Sequence, residues 1–178
     1  MGSPILPFIG IGLTVLAVLF YIIATATNSW VQASYEESSA KTTVGLWKLC
    51  SSGPSTNTCY PMTENVPAET YFSRFAMITA ILISVGALVI PFLVFFKKLQ
   101  KKFVKVSAGL IIGAAVLVLC GTISIAVYKG ADLEGFGFGY SIILAWLSIP
   151  IAIAGGVLIL LGGLDTPVKL MEKDVSLS

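Results

Sequence analysis

Four stretches of this chain, at 5–27, 72–96, 103–127 and 139–161, are almost continuously apolar. Each reaches the roughly 20 residues that carry a helix across the hydrocarbon core of a bilayer. In lipid every backbone N–H and C=O must find its partner within the protein, so such a segment is helical. The predicted class is an all-α membrane protein, one domain over 1–178 containing four spans. Composition agrees: 11% of the residues are charged and mean hydropathy is +0.93, whereas soluble domains carry about a quarter charged residues. No basic residue precedes the first span, and its apolar run exceeds the roughly 7–15 residues of a signal peptide, so it reads as a retained helix.

Lysine placement orients the spans. Lys97, Lys98, Lys101, Lys102 and Lys105 crowd the short link between the second and third, which the positive-inside rule puts in the cytoplasm. Both termini are then cytoplasmic, including the tail 162–178, and loops 28–71 and 128–138 face outward. The lysines make anionic lipid an expected partner. No basic patch accessible to nucleic acid stands out. Pro4 and Pro7 suit a helix start, whereas Pro150 falls inside the fourth span and calls for a kink or a compensating neighbour.

The loop 28–71 is too long and polar to be a mere connector. Residues 30–35 alternate loosely, 42–49 are rich in β-formers, 51–58 are turn material around Gly53-Pro54, and Asn57-Thr-Cys59 reads as a returning strand. A hairpin closed by Cys50 and Cys59 is the economical reading in an oxidising exterior. Ring closure of this size stabilises by about 3 kcal/mol. The third cysteine, Cys120, is read as a small buried hydrophobe deep in the third span.

Helices associate in lipid through small residues. Gly109, Gly113, Leu117 and Gly121 recur at four-residue spacing, a candidate helix-packing face, and the fourth span offers Gly155, Gly156, Gly162 and Gly163. Trp30, Tyr71, Phe72, Tyr128, Phe136, Phe138 and Tyr140 gather at the outer boundary as an interfacial belt would. Arg74, the one charge at the edge of a span, is expected to snorkel to that interface. The chain has no histidine, hence neither the commonest general base nor the commonest zinc ligand. No nucleophile stands beside a base and no glycine loop follows a strand in a phosphate-binding pattern. No catalytic residue, metal site or cofactor is assigned, and an enzyme is not expected. Glu36, Glu37, Glu64 and Glu69 outnumber Lys41 and Lys48 in the long loop, so they are candidate surface charges of a mildly acidic exterior.

Trp30, then Gly45-Leu46-Trp47, then Cys50 and Cys59, all between the first two of four spans, resemble the signature of the claudin superfamily. That group includes claudins, peripheral myelin and epithelial membrane proteins, the lens fibre membrane protein and gamma-type channel subunits. The likeness continues at 74–78, 106–110, 126–128 and 139–146. It implies a left-handed four-helix bundle capped by a small extracellular antiparallel sheet, with one strand from the second outer loop. It also implies Trp47 packed on the helix tops and Arg74 beside it. Two departures stand out: the tail ends Val175-Ser-Leu-Ser178, without the hydrophobic PDZ-binding terminus of claudins, and no juxtamembrane cysteine is present. Direct PDZ scaffold binding is therefore not expected. The resemblance implies a plasma-membrane protein acting at cell–cell contacts or in junction-like assembly, with a paracellular barrier or ion-selective role in view. Its partners would be itself or related claudin-family proteins, in cis or in trans. The alternative is an auxiliary subunit or lateral organiser working through the Gly109/Gly113/Gly121 face.

Overall fold

A computed structural model describes residues 5–35, 40–53, 56–63, 66–95, 102–132 and 137–165. Each apolar stretch is one helix: α1 (Leu6–Ala26), α2 (Ala68–Phe95), α3 (Lys102–Asp132) and α4 (Tyr140–Asp165). All four are long and apolar enough to cross a membrane, so the chain is a tetraspan membrane protein. Pro7 stands in the first turn of α1, where its missing N–H costs no helical bond; Pro4 lies outside the described residues. α2 starts at Ala68, ahead of the expected 72. The Pro67 carbonyl accepts the Thr70 and Tyr71 amides, and Glu69 in the first turn suits the positive end of the helix dipole. α4 runs through Pro150 without interruption. Of the lysines in the link, Lys97, Lys98 and Lys101 lie outside the described residues.

Between α1 and α2 run β1 (Val31–Tyr35), β2 (Ala40–Val44), β3 (Lys48–Ser52) and β4 (Asn57–Pro61), and β5 (Gly137–Phe138) precedes α4. They form one antiparallel sheet ordered β4-β3-β2-β1-β5. The run 42–49, rich in β-formers, is divided between β2 and β3 by a break at Gly45-Leu46-Trp47. The sheet leaves the bundle at the end where α1 and α3 finish and α2 and α4 begin.

The helices pair as α1 on α4 and α2 on α3, with α3 on α4 joining the pairs. The two pairs use different chemistry. At the α1–α4 seam, a Cβ on Gly155 would lie 2.5 Å from Thr14 Oγ1 and 2.9 Å from the Gly10 oxygen. One on Gly10 would lie 2.8 Å from the Gly155 oxygen and the Ile159 nitrogen, and one on Gly162 would run into Pro7. At the α2–α3 seam, hydroxyls bridge to backbone: Ser73 donates to the Gly121 oxygen and Ser107 to the Ala87 oxygen, each at 2.7 Å. Gly156 packs on α3, facing Ile112 and the Ala108 oxygen.

The stripe read as one packing face is split. Gly121 is buried against Ala76 and Ser73, but Gly109 and Gly113 are exposed with nothing near them. At 3.6 residues per turn a four-residue step advances by about 40°, so three steps carry the row from the outer face of α3 to the α2 seam. Cys120 is likewise exposed on the outside of α3 rather than buried among helices.

Candidate functional site

The sheet is joined to the bundle by the residues that carry the sequence signature. The last four carbonyls of a helix lack internal donors. At the end of α1 the Ile23 oxygen takes the Thr27 amide at 3.0 Å. The next two are met by indoles: Trp30 Nε1 donates to the Ala24 oxygen at 2.8 Å and Trp47 Nε1 to the Thr25 oxygen at 2.9 Å. Both tryptophans thus cap one helix end, reaching it from the open end of the β1–β2 hairpin, where Val31 pairs with Val44. Trp30, placed by the sequence in the interfacial belt, is only 1% exposed and belongs to the core. Tyr71, Phe72 and Tyr140 are exposed as the belt requires; Phe136 lies outside the described residues.

The turn between β2 and β3 explains the Gly-Leu-Trp order. Gly45 N donates to the Lys48 oxygen at 2.9 Å, closing a two-residue loop of Leu46 and Trp47. A Cβ on Gly45 would stand 2.5 Å from the Cα of Asn28, so only glycine permits this approach. Leu46 then points down and is fully buried, while Trp47 stays 38% exposed. The side chain turned into the bundle is therefore Leu46, while Trp47 rests on the end of α1 through its indole N–H.

Arg74 locks this turn from α2. Its Nε donates to the Leu46 oxygen at 2.7 Å and Nη2 to the Met62 oxygen at 3.0 Å. Its guanidinium carbon stands 4.9 Å from the centre of the Trp47 ring and 5.4 Å from that of Tyr71. Two carbonyls and two aromatic faces stabilise the cation, so the arginine is a tether and does not simply snorkel. A second joint, missed in the sequence, ties β5 and α4 to β1. Gly139 N donates to the Trp30 oxygen at 2.9 Å and Ser141 N to the Ser29 oxygen at 3.1 Å, and the Ser141 hydroxyl meets that of Thr27 at 2.7 Å. A Cβ on Gly139 would collide with the Ser29 carbonyl.

Cys50 and Cys59 form the expected disulfide. Met62 N donates to the Trp47 oxygen and Gly53 N to the Thr56 oxygen. Antiparallel pairs alternate, so 49/60 and 51/58 are hydrogen-bonded positions, whereas Cys50/Cys59 is a non-hydrogen-bonded one. Backbones approach most closely there, and the two Cα atoms are 4.1 Å apart. The same alternation turns the amide and carbonyl of Asn57 and Cys59, and the carbonyl of Pro61, away from β3. Among the described residues β4 pairs only with β3, and all five of its residues are exposed.

Of the candidate acidic surface, Glu36, Glu37 and Glu64 lie outside the described residues, and Glu69 sits in the first turn of α2. The strands themselves carry only Lys41 and Lys48 as charges. The register puts both lysines on the same face as the disulfide. Among the described residues no three His, Cys, Asp or Glu side chains group to hold a metal.

Residues 1–159 match a protein-family model described as the PMP-22/EMP/MP20/Claudin family. A comparison with curated proteins returned no match.

Proposed function

Since the chain belongs to the PMP-22/EMP/MP20/Claudin family, we propose that it works without catalysis, in cell–cell contact or junction-like assembly at the plasma membrane. The observation that carries this reading is the β4 edge. The exposed strand carries no charge and has its one proline at the end, leaving the outward backbone groups of Asn57 and Cys59 unpaired among the described residues, and such an edge is a template for another strand. The disulfide, the two indole caps and Arg74 hold that template rigidly on the bundle, which lowers the ordering cost of binding. A second copy, or a related family member, offers the same edge. Approached antiparallel about a two-fold axis, residue 57 of one copy stands opposite 59 of the other, an isologous contact. The lysine-rich link orients the sheet outward, and both termini inward. Sealing or ion selection along such a contact would follow from the side chains lining it.

The test is expression in cells that form no junctions of their own. Enrichment at boundaries between two expressing cells is expected, and replacement Asn57→Pro, which removes an outward amide, should reduce it without blocking surface delivery. A diffuse surface signal for the unmodified chain overturns the contact reading. In a leaky epithelial monolayer, unchanged transepithelial resistance and an unchanged sodium/chloride permeability ratio would overturn the barrier version alone. Cys50→Ser or Cys59→Ser should be retained during biosynthesis, because an open ring loses about 3 kcal/mol; normal delivery of both would make the bond dispensable.

A second reading has its own observation. Gly109 and Gly113 are open on the outer face of α3, and such residues let another membrane helix approach closely. This favours a lateral organiser or auxiliary subunit. Gly113→Leu should then abolish co-purification of a partner while leaving the fold intact; unchanged co-purification overturns it.

A further inference from the structure

The buried serine on α3 has a partner whose need for it is written in α2. Pro91 lies inside α2. A proline has no N–H to give the carbonyl four residues back, so the Ala87 oxygen has lost its regular helical donor. Ala87 is fully buried, and a carbonyl without a donor is costly in a membrane interior. The Ser107 hydroxyl, also fully buried, donates to that same oxygen at 2.7 Å.

The other hydroxyl bridge between these helices supplies the control. Ser73 donates to the Gly121 oxygen at 2.7 Å, but also to the Glu69 oxygen of its own helix at 2.9 Å. Four residues after Gly121 stands Ile125, inside α3, with an N–H of its own. The Gly121 oxygen therefore has a helical donor already. The two bridges look alike and differ in necessity.

We infer that Ser107 replaces the donor removed by Pro91, and that the two form a latched hinge at the end of α2, with the pivot on α2 and the latch on α3. Gly86 adjoins the orphaned carbonyl and has open space beside it, so it adds no side-chain contact of its own to that turn. With the latch made, the turn that ends at Pro91 is held to α3 through the Ala87 oxygen; with it broken, that turn loses this polar tie. The residues flanking the hinge are those that lead into and out of the lysine-bearing link.

The experiment uses the full chain in lipid nanodiscs, comparing unfolding equilibria and hydrogen exchange at 92–95 for Ser107→Ala, Ser107→Thr, Pro91→Ala and the double variant Pro91→Ala/Ser107→Ala. Ser107→Ala should lower the folded-to-unfolded ratio about tenfold and speed exchange at 92–95. Ser107→Thr keeps the donor while adding a methyl at a fully buried site, so exchange at 92–95 should stay slower than in Ser107→Ala. In the Pro91→Ala background, where the helical N–H is restored, loss of the Ser107 hydroxyl should cost about threefold or less. An equal cost in both backgrounds, or no cost in either, overturns the inference. If Ser107→Ala does not fold, recovery by Pro91→Ala supports the latch, and failure to recover overturns it.

Discussion

The α1–α4 and α2–α3 seams solve the same problem in opposite ways. Lipid tails are as apolar as leucine, so two helices gain little from hydrophobicity and need contact or hydrogen bonds instead. The first seam obtains contact by removing side chains: Gly10, Gly155 and Gly162 let backbone meet backbone. The second has a single close glycine among the described residues, Gly121 against Ala76 and Ser73, and adds a hydroxyl near each end. A glycine seam is unforgiving of added atoms. A hydroxyl seam is sensitive to lost ones, and only where the carbonyl has no other donor.

That contrast can be broken by substitution, beginning with the largest effect. Gly155→Leu should abolish the folded state, since even a Cβ there collides with Thr14 and Gly10; a sharp, thermally stable chromatographic peak for this variant would contradict the backbone-contact account. Gly10→Ala adds one methyl at the same seam and should cost about 1–3 kcal/mol of overpacking, read as a lower midpoint in detergent unfolding. Ser73→Ala removes a bridge whose acceptor keeps its helical donor, and should cost about 0.6 kcal/mol. A loss at Ser73 as large as that at Ser107 would erase the distinction between redundant and obligatory bridges. Last, Gly109→Ala places a methyl in open space and should leave stability unchanged or slightly raised.

Much of this was legible in the sequence, and the reasons are physical. Four spans are visible because each must be continuously apolar to exist in lipid. The disulfide and the returning strand were legible from Cys50, Cys59 and the turn residues between them. The break at Gly45 was not, because Leu46 and Trp47 look like strand residues until the approach of Asn28 demands a glycine. Trp30 and Trp47 were legible as a signature but not as caps, since the carbonyls they meet are anonymous backbone. Ser107 could have been found: Pro91 announces an orphaned oxygen, and a buried hydroxyl on a neighbouring span is the natural donor. The drift of the Gly109–Gly121 row was computable from helix geometry alone. The side-chain setting of Glu36, Glu37 and Glu64 lies outside the described residues and tests nothing about an acidic exterior.

The pairing of β1 with β5 has a consequence in time. β1 leaves the end of α1, whereas β5 is joined to it from the far side of α3. A chain made from its N-terminus therefore has β4, β3, β2 and β1 in hand while one flank of β1, and the Ser29 and Trp30 carbonyls, still wait for residues 137–141. The sheet cannot be completed until the chain reaches the start of α4. Completion of the cap thus reports that the chain has been made through residue 141, and a chain that stops short of it exposes an open strand to whatever inspects it.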